Sequence, residues 1–359
     1  MSTSTDDLPQ RLVNISSQLN RIVPIFQLVL GTFGNIMNIV IFTRRSLRTN
    51  PCSFYFLASS INNLFLLYVA LLTRLLSSGW KIDPSNSNII LCKLRIFFIY
   101  SSLCLIQWFV VLASIDRYFS TCHTNQYRQF SSLKIVRRTA GFIILIITLA
   151  HFHTLIWWTV DYIGTDQYCN IFINDYELAF QIFFLIFSCM LPLLLMLIFG
   201  ILMISNVRKL HIQIAAQNNG VRTDRSRSKD RQLVTMLLVQ VIVMICCTAP
   251  FATVNIFDLM IKYMEKITYN AKIKQFFDNI CRLILYFNPM TGFYIYTLSS
   301  QTFRIEIKHI LKHTFKYIYI KSGLARCFIT HQQNQTTITN QPVSRWAKKV
   351  RTSHNLIKY

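Results

Sequence analysis

The chain has 359 residues, of which 53% are hydrophobic and only 14% are charged, and its mean hydropathy is +0.39. A soluble domain carries nearer a quarter charged residues, so this composition excludes an ordinary soluble protein and predicts that most of the chain lies in lipid. The formal net charge of +23 would suit a nucleic-acid-binding protein, but its placement in loops between apolar stretches argues against nucleic acid as a partner.

Seven long apolar stretches follow the N-terminus. About 20 apolar residues in a helix cross the hydrocarbon core of a bilayer, and each stretch is long enough to do so. We therefore predict an all-α membrane protein, a seven-transmembrane helix bundle. The predicted spans, numbered one to seven in chain order, are residues 22–44, 53–77, 91–119, 139–160, 178–204, 232–261 and 275–298.

Four segments follow from these spans. Residues 1–21 form an N-terminus, 22–298 the seven-transmembrane domain, 299–313 a short amphipathic eighth helix, and 314–359 a basic tail. In the eighth helix isoleucines and lysines recur with a helical period, which predicts that it lies in the membrane interface with the bilayer as its partner.

Basic residues cluster after spans one, three, five and seven, for example at Arg44, Arg138 and Arg208. The positive-inside rule places these segments in the cytoplasm and the N-terminus outside. The sequon beginning at Asn14 is then an outward glycosylation site. Cys327, after the basic stretch that follows span seven, is a candidate for palmitoylation.

Two of the ten cysteines differ from the rest in position. Cys92 and Cys169 fall in or beside extracellular segments, where the compartment is oxidising. We expect a disulfide between them that ties the outer end of span three to the loop after span four.

Two short motifs stand inside the apolar pattern. Asp116-Arg117-Tyr118 closes span three, and a charged pair at that position is costly unless it has a role at the cytoplasmic face. Arg117 follows Cys92 by 25 residues, or about 37 Å of helix, so one helix links the outer cysteine to the inner arginine. Asn288-Pro289 lies in span seven, where the proline removes a backbone donor and loosens the helix.

In these features the sequence resembles the rhodopsin-like family of G-protein-coupled receptors, over roughly residues 22–313. Further matches in register are Gly34-Asn35, Asn63-Leu64, Pro192, Cys247-Thr248-Ala249-Pro250 and Phe303-Arg304. The resemblance implies that Asp116, Arg117, Tyr118, Asn288, Pro289 and Tyr296 serve activation and G-protein coupling. It also implies helix bends at Pro192 and Pro250.

Asp230 lies 20 residues before Pro250, about 30 Å along the helix and hence at the cytoplasmic end of span six. An acidic residue there can pair with Arg117. As the resemblance implies, such a pair holds spans three and six together at rest and forms a two-state element that a ligand can bias. The alternative is that Asp230 is a solvated charge among basic neighbours.

The chain also departs from the family pattern. Asn63 stands where the family usually has Asp, which puts a sodium site in doubt. Thr248 stands in place of the large aromatic residue of span six. Gly292 occupies the expected tyrosine position of span seven, while Tyr296 has a family-like distance to Phe303 and suggests a local shift of register.

Residues in the outer half of the predicted bundle limit the chemical class of the ligand. Ile99 replaces the acidic residue of amine receptors, and span seven lacks the lysine that retinal requires. We expect the pocket to be formed at Ile99 and at Tyr100, Asn255, Asp258, Asp278 and Arg282. Acidic residues after span four add Asp161, Asp166, Asp175 and Glu177, which favours a short, basic and amidated neuropeptide, such as an FMRFamide-like one.

The implied partners are this extracellular ligand, a heterotrimeric G protein, and arrestin and a receptor kinase acting on the tail. No pattern indicates an enzyme, a cofactor or a metal site. Two alternatives stay open: a transporter or channel, and a non-signalling decoy or scaffold receptor of the same fold.

Overall fold

The computed structural model describes residues 7–122, 124–163, 166–171, 173–216, 224–264 and 271–321. In that part of the chain six helices are long and apolar enough to cross a membrane, and they match the first six predicted spans. They are Leu8–Phe42, Pro51–Gly79, Ile89–Thr121, Leu133–Trp157, Asp175–Arg208 and Gln232–Ile261. Helices suit lipid because each satisfies its own backbone hydrogen bonds.

The individual elements are numbered in chain order. The helices are α1 (Asp7–Phe42), α2 (Arg45–Arg48), α3 (Pro51–Leu66), α4 (Ile89–Thr121), α5 (Asn125–Arg128), α6 (Leu133–Ala150), α7 (Thr154–Trp157), α8 (Asn174–Phe183), α9 (Leu191–Ala216), α10 (Asp224–Met264), α11 (Ala271–Leu285), α12 (Asn288–Ser299) and α13 (Gln301–Lys321). Spans two and five include π-helical turns at Leu67–Leu72, Leu75–Gly79 and Phe184–Met190. A 3₁₀ turn at Pro84–Asn86 precedes α4.

Span seven is divided into α11 and α12 by a turn at Tyr286 and Phe287. Pro289 stands in the first turn of α12, and because it has no N–H it cannot continue the hydrogen-bond ladder of α11. The amides of Met290 and Thr291 both donate to the carbonyl of Phe287 instead. Span seven is therefore interrupted in its hydrogen-bond ladder at this point, while Phe287 keeps helical dihedral angles.

Helix α1 begins at Asp7, well before the predicted start of span one at residue 22. Its N-terminal part contacts two other spans. Arg21 donates from Nε to the carbonyl of Gly79 at 2.7 Å, and Asn279 donates to the hydroxyl of Ser16 at 2.8 Å. Much of the expected N-terminal segment is thus a helical extension that joins the outer ends of spans two and seven.

The loop after span four contains a β-hairpin that the sequence analysis did not predict. Strands β1 (Thr159–Ile163) and β2 (Asp166–Asn170) are antiparallel, with Val160 opposite Cys169. From Thr159 to Tyr162, strand β1 alternates polar with apolar or aromatic residues, a pattern that suits a pleated ribbon. The bundle itself is helical as expected.

A buried polar contact joins spans one, two and seven. The amide of Asn35 donates to the carbonyls of Gly31 and Pro289, each at 2.8 Å. Asn63 donates to the side-chain oxygen of Asn35 at 3.3 Å. These hydrogen bonds join span one to span two and to the first turn of α12.

Large apolar side chains cover the outside of the bundle. Phe26, Phe142 and Ile201 are each 63% exposed, and many similar residues lie along the helices. Such continuous apolar surface is not tolerated in water and indicates contact with lipid.

Gly34 provides a test of the helix packing. A Cβ at this position would lie 3.0 Å from the Cβ of Phe293, whereas a Cβ at Gly141 would meet nothing within 4 Å. We expect Gly34→Val to destabilise the protein by about 1–3 kcal/mol through overpacking. The matched variant Gly141→Val should cost much less. Thermal melting of the purified variants measures the difference, and equal melting temperatures would contradict the close approach of spans one and seven.

The chain divides into two compact units, Met1–Arg304 and Ile305–Tyr359. The first contains the bundle. The second begins within α13, which ends at Lys321 and not at the predicted residue 313. Lys308 and Lys312 are exposed on this helix, as the amphipathic pattern predicts, and so is Leu311.

Candidate functional site

A cavity of about 380 Å³ opens in the outer half of the bundle. Apolar side chains of spans three, five and six form part of its wall, including Tyr100, Phe184 and Phe251. Polar residues from the hairpin and the segment before α4 complete it, including Asn86 and Asn170. This volume is typical of a site that encloses a drug-sized ligand.

Four of the six predicted ligand contacts line this cavity. They are Tyr100, Asn255, Asp258 and Arg282. Ile99 and Asp278 are partly buried and are not part of its lining. The edges of the Phe180 and Phe184 rings meet Tyr100, with centroids 4.8 and 5.0 Å away.

The acidic groups of the cavity are largely paired with basic ones. Asp258 forms an ion pair with Lys274 at 2.9 Å. Both carboxylate oxygens of Asp83 accept hydrogen bonds from Arg95 at 2.9 Å. Glu177 lines the cavity, while Asp161 and Asp175 are exposed. The predicted acidic vestibule is therefore a mixed surface in which lysine and arginine neutralise two of the carboxylates.

The predicted disulfide between Cys92 and Cys169 is confirmed, with their Cα atoms 5.7 Å apart. It joins α4 to strand β2. Trp158, Ile171 and Phe180 form a buried cluster around Cys92. The hairpin is thus fixed over the outer end of span three, beside the cavity.

Arg74 is a residue of this region that the sequence analysis did not include in the site. Its Nη2 donates to the side-chain oxygens of Asn20 at 3.2 Å and Asn279 at 2.8 Å. An arginine inside an apolar span is rare and is by default a functional candidate. That signal was present in the sequence.

At the cytoplasmic end, Asp116 and Arg117 form a buried ion pair. Arg117 donates from Nε and Nη2 to one carboxylate oxygen of Asp116, at 3.1 and 2.8 Å. The other oxygen accepts from Ser131 at 2.7 Å. Arg117 also donates to Asn50, whose side chain caps α3, at 3.2 Å. The side chains of Arg117 and Asp116 are only 2% and 3% exposed. Arg117 is thus held by Asp116 of span three and by Asn50 at the start of span two.

The remaining predicted cytoplasmic residues lie at several places. Tyr118 packs against Phe199 of span five, with ring centroids 5.7 Å apart. Asp230 falls in α10, but its side chain lies outside the described residues, so its pairing with Arg117 stays a prediction. Sequence reasoning missed Gln232, which accepts hydrogen bonds from the Ser300 hydroxyl and the Thr302 amide at 3.2 and 2.8 Å.

Tyr296 occupies a buried position at the inner end of span seven. Its ring lies 5.6 Å from Phe42, 5.0 Å from Phe56 and 5.8 Å from Phe303, between centroids. Tyr294 instead donates to the carbonyl of Leu30. Asn288, beside the break, is also buried. This arrangement is compatible with the predicted shift of register.

The predicted helix bends lie within spans five and six, and only one of the two predicted modification sites lies in the described part of the chain. Pro192 is buried directly after the π-helical turn of span five, and α10 continues through Pro250. Asn14 is exposed on α1, and its glycosylation stays a prediction. Cys327 lies outside the described residues.

A comparison with known protein families matches residues 34–296 to the 7 transmembrane receptor (rhodopsin family). The matched range contains the cavity, the disulfide, the Asp116–Arg117 pair and the divided seventh span. No curated protein matches the chain. Members of this family are multi-pass membrane receptors, not enzymes, with a ligand and a G protein as partners. The chain belongs to the rhodopsin family of seven-transmembrane receptors.

Proposed function

We propose that this receptor lies in the plasma membrane with its N-terminus outside, binds a short neuropeptide and activates a heterotrimeric G protein. One observation carries the proposal. The bundle has an open cavity at the end with the disulfide-fixed hairpin, and a buried ion pair, Asp116–Arg117, at the opposite end. A ligand at the first end can act on the second if it favours one of two packings of the helices.

A peptide suits the outer cavity better than a compact apolar ligand. Its lining carries carboxylates, guanidinium groups and side-chain amides alongside the aromatic residues. Such mixed surfaces match a ligand that has both charged groups and apolar side chains, and their charges guide its approach. The volume of about 380 Å³ admits the end of a peptide, so the rest would lie at the mouth.

The coupling step follows from the surroundings of Arg117. We propose that activation releases Arg117 from Asp116, and from Asp230 where that pair exists, so that it meets the G protein. Pro192, Pro250 and the break at Pro289 would absorb the helix movement. Arrestin and a receptor kinase would then act on the Ser- and Thr-bearing tail.

A non-signalling receptor is the second candidate, and one observation favours it. Thr248 is fully buried in span six, where the family has a large aromatic side chain. If that side chain is required for the helix movement, the chain would bind its ligand without activating a G protein.

A second-messenger assay distinguishes the two candidates. Cells that express the receptor with a promiscuous Gα subunit would be exposed to a library of short peptides, with Arg117→Ala at equal surface level as the control. We expect active peptides whose response falls at least tenfold in Arg117→Ala, because the arginine would no longer reach the G protein. Binding without a response would support the decoy. Absence of both binding and response would contradict the peptide ligand.

A further inference from the structure

The charged residues that line the outer cavity differ in how they are paired. Asp83 holds Arg95 through both carboxylate oxygens at 2.9 Å. Asp258 holds Lys274 at 2.9 Å. These two pairs are internally neutral and need no charged ligand group.

Arg282 is different. It lines the cavity and is solvent-exposed, and its guanidinium carbon lies 5.8 Å from the ring centroid of Phe251. It forms no hydrogen bond or ion pair with any residue in the described part of the chain. A guanidinium group carries five N–H donors arranged to bind a carboxylate with two parallel hydrogen bonds. Arg282 therefore presents an unused anion-binding group to the cavity.

A second cation adds to the positive potential at this wall. Arg74 interacts electrostatically with Arg282. Within the described ranges the guanidinium group of Arg74 donates only to the neutral amide oxygens of Asn20 and Asn279. Asp278 acts on both arginines but forms an ion pair with neither. Among the described residues these two guanidinium groups form no ion pair with a carboxylate, so this region keeps a positive potential that attracts an anion from outside.

A buried apolar cluster adjoins Arg282 through Phe251, and the same cavity lining also carries the polar residues Asn255 and Asp258. Phe184, Phe251 and Leu285 belong to one buried cluster, with Tyr100 packed against it. A charge-assisted hydrogen bond is stronger where water is excluded than at an open surface. The wall therefore suits an anionic group with an apolar side chain attached close to it.

We propose that Arg282 binds the free C-terminal carboxylate of the peptide ligand, whose last residue is apolar. The inference rests on the proposed peptide receptor and names the class of peptide. A terminal carboxylate fits better than an acidic side chain, because a small cavity can enclose a chain end whereas an internal residue needs room for chain on both sides. An amidated peptide lacks the charge that Arg282 would bind. This ligand differs from the amidated peptide that the sequence analysis favours, and the libraries below decide between the two.

Two matched synthetic libraries test this inference. They contain the same short peptide sequences, one with free C-terminal carboxylates and the other with C-terminal amides. Binding to the purified receptor and nucleotide exchange on a G protein would both be measured. We expect binders in the carboxylate library, with their amide counterparts weaker by on the order of 10- to 100-fold, the usual effect of one hydrogen bond to a charged group.

Single-residue variants then test whether the preference for carboxylate peptides comes from Arg282. Arg282→Gln should weaken the carboxylate peptides by the same factor and remove the preference over the amides, while Arg282→Lys should retain part of it. Lys272→Gln is the matched control, because Lys272 is exposed on the same helix and outside the cavity lining. An equal loss in Lys272→Gln would show a long-range field effect and overturn direct binding by Arg282.

The outcomes separate this inference from the proposed function. If the amide peptides bind as well as the carboxylates, or Arg282→Gln retains the preference, the peptide receptor stands and the role of Arg282 is wrong. If neither library binds, the peptide proposal fails and the inference fails with it. The surface level and the thermal stability of each variant would be measured to exclude misfolding as the cause of weaker peptide binding.

Discussion

Asp116→Asn is expected to raise ligand-independent nucleotide exchange on the G protein about tenfold. Asp116 accepts two hydrogen bonds from Arg117 and one from Ser131. A charge-assisted hydrogen bond is roughly twice as strong as a neutral one, so loss of the charge weakens the restraint by about 1.4 kcal/mol, which corresponds to a tenfold shift in population. Exchange at equal receptor density measures this shift.

Ser131→Ala is the graded control for this prediction. It removes the hydroxyl donor but retains the ion pair between Asp116 and Arg117, so basal exchange should rise by less than in Asp116→Asn. If exchange in Asp116→Asn equals that of the unmodified receptor, the ion pair does not restrain the resting state and this part of the mechanism is wrong.

Cys92→Ser is expected to have a comparably large effect at the opposite end of the molecule. Loss of a native disulfide typically costs about 2–5 kcal/mol, and the one lost here closes a loop of 77 residues. The hairpin would lose its attachment to α4 beside the cavity. We expect a lower melting temperature and at least a tenfold weaker peptide response.

The cysteines of the chain supply their own controls. Cys169→Ser should reproduce Cys92→Ser, and the double variant should be no worse, because both single changes remove the same bond. Cys246→Ser should be near neutral, since Cys246 is a free thiol on the exposed surface of α10. An additive double variant would contradict a shared disulfide as the origin of the effect.

Features with a strong local signal were predictable from the sequence. The length and apolarity of each stretch located the spans. A single apolar segment in lipid satisfies its own backbone hydrogen bonds only as a helix. The compartment and the positions of Cys92 and Cys169 indicated their disulfide. Tyr100, Asn255, Asp258 and Arg282 line the outer cavity, at the depth that residue count along a helix indicates.

Features that depend on tertiary contacts were not predictable in this way. The helix before residue 22 forms where Ser16 and Arg21 meet spans seven and two, and its own sequence is polar. The pairing of Asp258 with Lys274 depends on how the ends of spans six and seven face each other. Ile99 lies at the expected depth but is not part of the lining, because depth does not fix the rotation of a helix about its axis.

The most direct test of the account uses the purified receptor in lipid nanodiscs with a purified heterotrimeric G protein. The exchange of a labelled GTP analogue would be followed with and without the short peptides that bind the receptor, alongside the Arg117→Ala variant. We expect that peptide accelerates exchange by the unmodified receptor and that Arg117→Ala binds the same peptides without accelerating it. Exchange that stays at the receptor-free rate despite peptide binding would contradict a signalling receptor.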